Sequence, residues 1–210
     1  SKFVFNLDSR KEIRGDLGIP EHALVIGTIG RAEFNKGPDI FLGVCEDILC
    51  RYTDIWVLVV GRNWEAFLEK ARTESEGLSD CNFCIVSEAL EVEGYYSAMD
   101  IFLSASRNEG TQNALLEAMS CERVCVVTDV GDARHVLGNP SLVWVDGDQK
   151  HLSASVSRVV SMSRDERNRT GKAARDRVVE SFSLDYEYQM LSEIFYGGDT
   201  IETETSSRLS

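Results

Sequence analysis

The chain holds 210 residues, 43% hydrophobic and 27% charged, enough for one sizeable core and short of two comfortable domains. A formal net charge of -13 argues against nucleic acid or an anionic membrane as its main partner, while leaving room for a local basic pocket. No apolar run approaches the ~20 residues that span a bilayer and no signal-like segment opens the sequence, so the expected location is cytoplasmic.

Ser1 stands in place of an initiating Met, and the expectation is a domain excised from a longer chain. Residues 1–20 read as a polar connector with a short helix, ending in Leu17-Gly18-Ile19-Pro20. Ala23 to Gly30 is apolar, β-branched and of strand length, the pattern of a strand buried on both faces of a parallel sheet. Arg31 and Lys36 follow in a loop, and Pro38 suits the first position of a helix running through Ile48. The two cations thus fall just past the strand's carboxyl end, where open α/β sheets bind ligands.

Ile55 to Gly61 is a second strand, and Trp64 to Glu76 has helical periodicity. Phe83 to Val86 forms a third strand and Glu93 to Ala98 a short helix. Further on, Val124 to Thr128 is another buried strand, Asp129 to Asp132 a turn, and Leu142 to Val145 the last strand. Helices are expected from Gln149, over Arg164 to Glu180, and from Phe182 through about Tyr196. Gly197 to Ser210 is rich in acids and Ser/Thr and is expected to be a disordered tail. Strands and helices alternate in at least five βα units, which gives an α/β doubly wound parallel sheet over residues 21–196.

Six cysteines, at 45, 50, 81, 84, 121 and 125, sit in apolar stretches and read as buried free thiols. Cys81-Asn82-Phe83-Cys84 has redox or zinc spacing, yet it opens a strand and lacks a second pair or a nearby histidine.

Ser104 to Gly131 concentrates the chemistry. Ala114, Leu115, Ala118 and Met119 give one apolar helix face, with Asn113 or Thr111 as its N-cap. The start of that helix faces the mouth left by the preceding strand, and its open N–H groups and positive dipole end favour phosphate. Gly110 lets a ligand approach the backbone closely. Glu117, about one turn into the helix, is placed to accept both hydrogens of a vicinal diol, as acids do for ribose in dinucleotide sites. Phosphate beside ribose points to a sugar nucleotide. Two glutamates with seven residues between them are otherwise ordinary solvated surface, so the weight rests on the order of the surrounding motifs.

Glu109-Gly110-Thr111-Gln112-Asn113-Ala114-Leu115-Leu116-Glu117-Ala118-Met119 resembles the Glu-x7-Glu signature of retaining glycosyltransferases of family 4, also called glycosyl transferases group 1. Gly30-Arg31 and Lys36-Gly37 resemble the family's GR…KG element, and Tyr95 to Ser104 resembles its YxxADxFxxPS-type segment. The ending near Phe182-Ser183-Leu184 is similar to its RF-S-W segment, so the resemblance covers about Leu17 to Tyr196. This chain departs from the pattern where Gly61-Arg62-Asn63-Trp64 replaces Gly-x-Gly-Pro, Ile85-Val86 replaces Gly-Phe, and Glu122 replaces Gly. The change at Ile85-Val86 leaves the nucleotide base unreadable, and Glu122 is expected to alter only loop geometry remote from the ligand.

The resemblance implies a GT-B architecture, two Rossmann-like domains of which this chain is the C-terminal, donor-binding half. Arg31 and Lys36 would neutralise a leaving diphosphate, helped by N–H groups from Gly110, Thr111, Gln112 and Asn113, with no metal or other cofactor required. Glu109 would bond sugar hydroxyls near the anomeric carbon and Glu117 the ribose diol, while Gly30, Gly61, Arg62 and Val86 complete the donor-binding set. The donor would be a UDP-, GDP- or ADP-sugar. Its glycosyl group would pass with retention to a glycan, lipid or other acceptor held by an N-terminal domain of the full-length chain. Any peripheral contact with the inner face of the membrane would come through that absent domain, and this domain alone would be inactive. Asp100 is expected to bond structure, and none of the three histidines falls within the matched donor motifs. Two other classes stay open. A hydride-transfer domain would need G-x-G-x-x-G spacing, which Gly27-Thr28-Ile29-Gly30 lacks, and a nucleotide-sugar-binding regulatory or scaffold module would need no catalysis at all.

Overall fold

The computed structural model of the chain describes residues 2–78, 82–138, 144–145, 148–183 and the single positions 186, 188 and 191. Among these, six strands form one sheet: β1 (Leu24–Ile29), β2 (Ile55–Val60), β3 (Phe83–Val86), β4 (Ile101–Ser104), β5 (Val124–Thr128) and β6 (Trp144–Val145). Their spatial order is β3-β2-β1-β4-β5-β6 and every pairing is parallel. β1 lies between β2, in register from Leu24–Ile55 to Ile29–Val60, and β4, through Ile26–Ile101.

The strands read as unbroken apolar runs because helices cover both faces. On one face α2 (Pro38–Leu49), α3 (Trp64–Glu74) and α7 (Gln149–Val160) set Phe41, Ile48, Leu68 and Val156 against Ile26, Val57 and Val126. On the other, α4 (Glu93–Ala98), α5 (Asn113–Ser120), α6 (Ala133–Leu137) and α8 (Arg164–Phe182) set Tyr96, Leu115, Val136 and Ala174 against Val25, Leu58 and Phe102. The α/β doubly wound sheet expected from the alternation is thus the fold. No helix among the described residues is long and apolar enough to cross a membrane.

Local chemistry sets the helix boundaries. Pro38 opens α2 at its first turn, where a missing N–H costs nothing. The Asp148 side chain accepts the His151 N–H to start α7, and Ser163 with Glu166 closes a capping box at α8. α3 stops at Glu74 instead of Glu76 because residues 76–78 wind into a 3-10 turn. The five-residue α6 was not expected; it follows the turn at Asp129 to Asp132.

The connector contains α1 (Leu7–Asp16), capped by the Asn6 side chain and fastened to the sheet domain by Asp100. That carboxylate accepts from Arg10 Nη2 at 2.7 Å, Arg14 Nη2 at 2.8 Å and the Val25 N–H at 2.8 Å. Burial alone would raise its pKa, but Arg10 and Arg14 outweigh burial and hold the carboxyl below its ordinary value. Asp100 therefore bonds structure, as expected.

Glu122 keeps the left-handed backbone, φ 61°, that explains why glycine is usual there. Glu122→Gly is expected to raise stability by about 0.5–1 kcal/mol, read as a higher urea midpoint at unchanged slope. Cys50, Cys84, Cys121 and Cys125 are free thiols, and Cys45 is buried. Cys50 is exposed, against the expectation of burial, because it terminates α2 at the surface. Half-buried Cys84 directs its thiol to the Leu17 carbonyl at 3.7 Å. Cys81, Leu142, Asp146, Gly147, most of the helix expected beyond Phe182 and the tail 197–210 lie outside the described residues.

Candidate functional site

Strands leave β1 toward one edge of the sheet and β4 toward the other, so the chain order reverses between them. In open α/β sheets the crevice at the carboxyl ends of such a pair is the place for a ligand. Here it is a cleft of about 160 Å³. Gly30, Arg31 and Lys36 line it from the β1–α2 loop, Ser104 from the end of β4, Ser106 and Glu109 from the β4–α5 loop, and Thr111, Gln112 and Asn113 from the start of α5. Phe41, Trp64 and Phe102 form its apolar wall.

Two glycines let the backbones close up. Gly37 has φ 61°, and a Cβ there would run into the Ala105 carbonyl oxygen, so the two loops touch only without a side chain. Gly61, φ 143°, packs in the same way under the Gly30 carbonyl. The departure at Gly61-Arg62-Asn63-Trp64 now has a physical account. Asn63 takes the left-handed conformation, φ 72°, that glycine would otherwise supply, as asparagine tolerates better than most residues. Trp64 is buried, donates Nε1–H to the Gly30 carbonyl at 2.8 Å and meets Phe41 edge-on at 5.1 Å, bracing the turn that carries Arg31.

Within the cleft, Lys36 Nζ meets Glu109 Oε1 at 2.5 Å, and Ser106 Oγ donates to the same oxygen at 2.8 Å. Glu109 is 13% exposed and Lys36 42%, so the pair bridges wall and solvent. Arg31, 67% exposed, pairs with Glu33 at 3.2 Å, an interaction worth ~0–1 kcal/mol and readily exchanged for a ligand's. At α5 the N-cap position falls to Gln112, not to Asn113 or Thr111, and no side chain closes the first turn. Buried Gln112 instead donates Nε2–H to the Val130 carbonyl at 3.2 Å and its backbone N–H to Asp132 at 3.3 Å. That anchors the helix start from behind and leaves its front to the cleft.

Seven of the residues singled out from sequence thus meet here: Gly30, Arg31, Lys36, Glu109, Thr111, Gln112 and Asn113. Gly61, Arg62, Val86, Gly110 and Glu117 do not line the cleft. Arg62 pairs with Glu88 at 2.5 Å across the loops after β2 and β3, and Val86 ends β3. Glu117 lies half-buried on α5, accepting the Tyr96 hydroxyl at 2.7 Å. Burial raises the Glu117 pKa, and the Tyr96 bond only tempers it. Sequence reading missed Trp64, Ser104, Ser106 and Asp132. The two serines carried a usable signal, as small polar residues at the carboxyl end of a buried strand beside a loop carboxylate.

Residues 9–177 match the family described as Glycosyl transferases group 1. The chain belongs to that family. It is 31% identical over 147 residues to the lipopolysaccharide core biosynthesis mannosyltransferase LpcC of Rhizobium leguminosarum bv. viciae, covering 67% of this chain and 41% of that protein. Anabaena Alr3699/HepE, solved in complex with UDP, shares the fold with a TM-score of 0.81 at 16% identity, over 93% of this chain and 54% of that one. The C-terminal domain of the group 1 protein LpcC from Francisella tularensis gives 0.74 at 20% identity, over 87% of this chain and 96% of that domain. The group 1 chain described here therefore has the Rossmann-like fold of such a C-terminal domain, and spans about two fifths of the Rhizobium relative.

Proposed function

We propose that this chain is the donor-binding half of a retaining glycosyltransferase that uses a nucleoside-diphosphate sugar. The observation that carries the reading is the convergence of Arg31, Lys36, Glu109 and the uncapped start of α5 on one cleft at the sheet's switch point. A diphosphate entering the cleft would draw Lys36 from Glu109, and the released carboxylate would then accept sugar hydroxyls. Arg31, Lys36 and the first-turn N–H groups would stabilise the charge that builds on the leaving diphosphate, without a metal. The HepE structure, of like fold and bound to UDP, supports a nucleotide ligand.

The acceptor, a glycan, lipid or other hydroxyl, would sit on an N-terminal domain of the full-length protein in the cytoplasm, at the inner membrane face where the acceptor is lipid-linked. With no acceptor aligned, this chain forfeits much of the ~7–11 kcal/mol that proximity contributes, so it should bind donor and transfer little. A thermal-shift panel of UDP-, GDP- and ADP-sugars tests the reading. The melting midpoint should rise with donors of one base, and no rise with any donor contradicts it.

Glu117 is the proposed ribose acceptor. Glu117→Gln should weaken binding of a nucleoside diphosphate while leaving the melting midpoint in place. Accepting a diol requires the carboxylate form, and this pKa lies above the ordinary carboxylate value. Affinity should therefore fade on acidification earlier than an ordinary carboxylate allows. Tyr96→Phe removes the bond that lowers the pKa, so the fade should begin at still higher pH, as calorimetry from acidic to neutral pH would show.

A further inference from the structure

The two loops that carry Lys36 and Glu109 are tied together by a side chain outside the cleft. Arg107, in the β4–α5 loop, reaches across the β1–α2 loop to the first turn of α2. Its Nη1 donates to Asp39 Oδ1 at 2.8 Å and its Nη2 to Oδ2 at 2.5 Å, a two-pronged fork. Nη1 also donates to the Phe34 carbonyl at 3.0 Å, and the guanidinium lies 4.5 Å over the Phe34 ring. Its backbone N–H donates to the Asn35 carbonyl at 2.7 Å. These contacts fall on both sides of Lys36, and Lys36 in turn meets Glu109, two residues beyond Arg107. The Phe34 ring is 74% exposed, so its support comes from the guanidinium and not from the core.

We propose that Arg107 is a positioning residue that latches the Lys36 loop onto the Glu109 loop and so fixes the spacing of the two donor-binding side chains. The proposal rests on the reading of the cleft as a diphosphate site. A planar guanidinium can hold a carboxylate by two prongs while stacking on a ring, and a lysine ammonium can do neither with the same geometry. The hydrogen bonds from Arg107 hold the Asp39 carboxyl below its ordinary range, so the latch is ionised at neutral pH.

The test measures calorimetric affinity for UDP, GDP and ADP, and for the nucleoside matching the tightest of them, in the unaltered chain, Arg107→Lys and Asp39→Asn. A latch predicts diphosphate binding about fivefold weaker in both variants, with nucleoside binding kept. Asp39→Asn separates a latch from a mere neighbouring cation. Deleting a carboxylate near an anion site strengthens binding if Arg107 acts through charge alone, and weakens it if Asp39 anchors the latch. Stronger or unchanged diphosphate binding in Asp39→Asn overturns the proposal. So does an equal loss of nucleoside binding with a lower melting midpoint, which marks a folding role. Should none of the three nucleotides bind the unaltered chain, the reading of the cleft fails, and the latch is decided by amide hydrogen exchange at Lys36 and Gly37. Their N–H groups bond the Glu33 and Phe34 carbonyls at 2.8 and 3.1 Å. Faster exchange in both variants supports the latch, and unchanged exchange overturns it.

Discussion

Asp100→Ala is expected to lower the stability of the chain by about 3–5 kcal/mol, the cost of stripping one partner from a buried ionic cluster. Arg14 is 3% exposed and Arg10 14%, and both direct guanidinium N–H groups to backbone carbonyls as well as to Asp100. Arg123, itself buried, adds a third guanidinium nearby, donating to the Met99 carbonyl and lying 4.7 Å over the Phe5 ring. Without Asp100 these positive charges lose the carboxylate that they share, and the Val25 N–H at the head of β1 loses its acceptor. Because the Asp100 pKa is lowered by folding, its contribution is complete above the ordinary aspartate value of ~3.9 and disappears as pH falls through the lower, folded value. Urea unfolding at neutral pH should show the full loss. In the acid range the unaltered chain should lose stability down to the level of the variant. A loss below ~1 kcal/mol at neutral pH would mean that α1 is not held by this cluster.

That cluster shows what a linear reading can and cannot see. β1, β2 and β5 were legible because parallel strands covered on both faces must be continuously apolar, and Arg31 and Lys36 because their loop follows β1 directly. The Glu109 loop and α5 were legible from one apolar face and one run of polar residues. Arg10 and Arg14 were not, since their partner lies 90 and 86 residues away and nothing local marks a basic helix as a clasp. Arg107 is similar: its meaning depends on Asp39, 68 residues earlier. The α5 cap was misplaced because Gln112 is buried and held by Val130 and Asp132, tertiary contacts that override the usual preference for Asn or Thr. Trp64 read only as part of a departure from the family pattern, whereas its indole braces the Gly30 turn.

The second large effect concerns the cations of the cleft. Removing the charge of Lys36 should weaken diphosphate binding by ~1.5–3 kcal/mol, about tenfold or more, because a charged hydrogen bond is lost. Lys36 should matter more than Arg31. Its substitution also leaves Glu109, 13% exposed, as an uncompensated carboxylate facing the incoming phosphates, whereas Arg31 leaves behind only the exposed Glu33. Neither change should affect the nucleoside alone, which offers no anion to either cation.

The claim that the cleft between β1 and β4 is a diphosphate site is therefore tested most directly by calorimetry with a nucleoside diphosphate and its matching nucleoside, on the unaltered chain and on Lys36→Met. The account predicts that the diphosphate binds the unaltered chain more tightly than the nucleoside, and that Lys36→Met narrows that difference by about tenfold while nucleoside affinity stays constant. Equal affinity for the two ligands in the unaltered chain, or an equal loss of both in the variant, would contradict it.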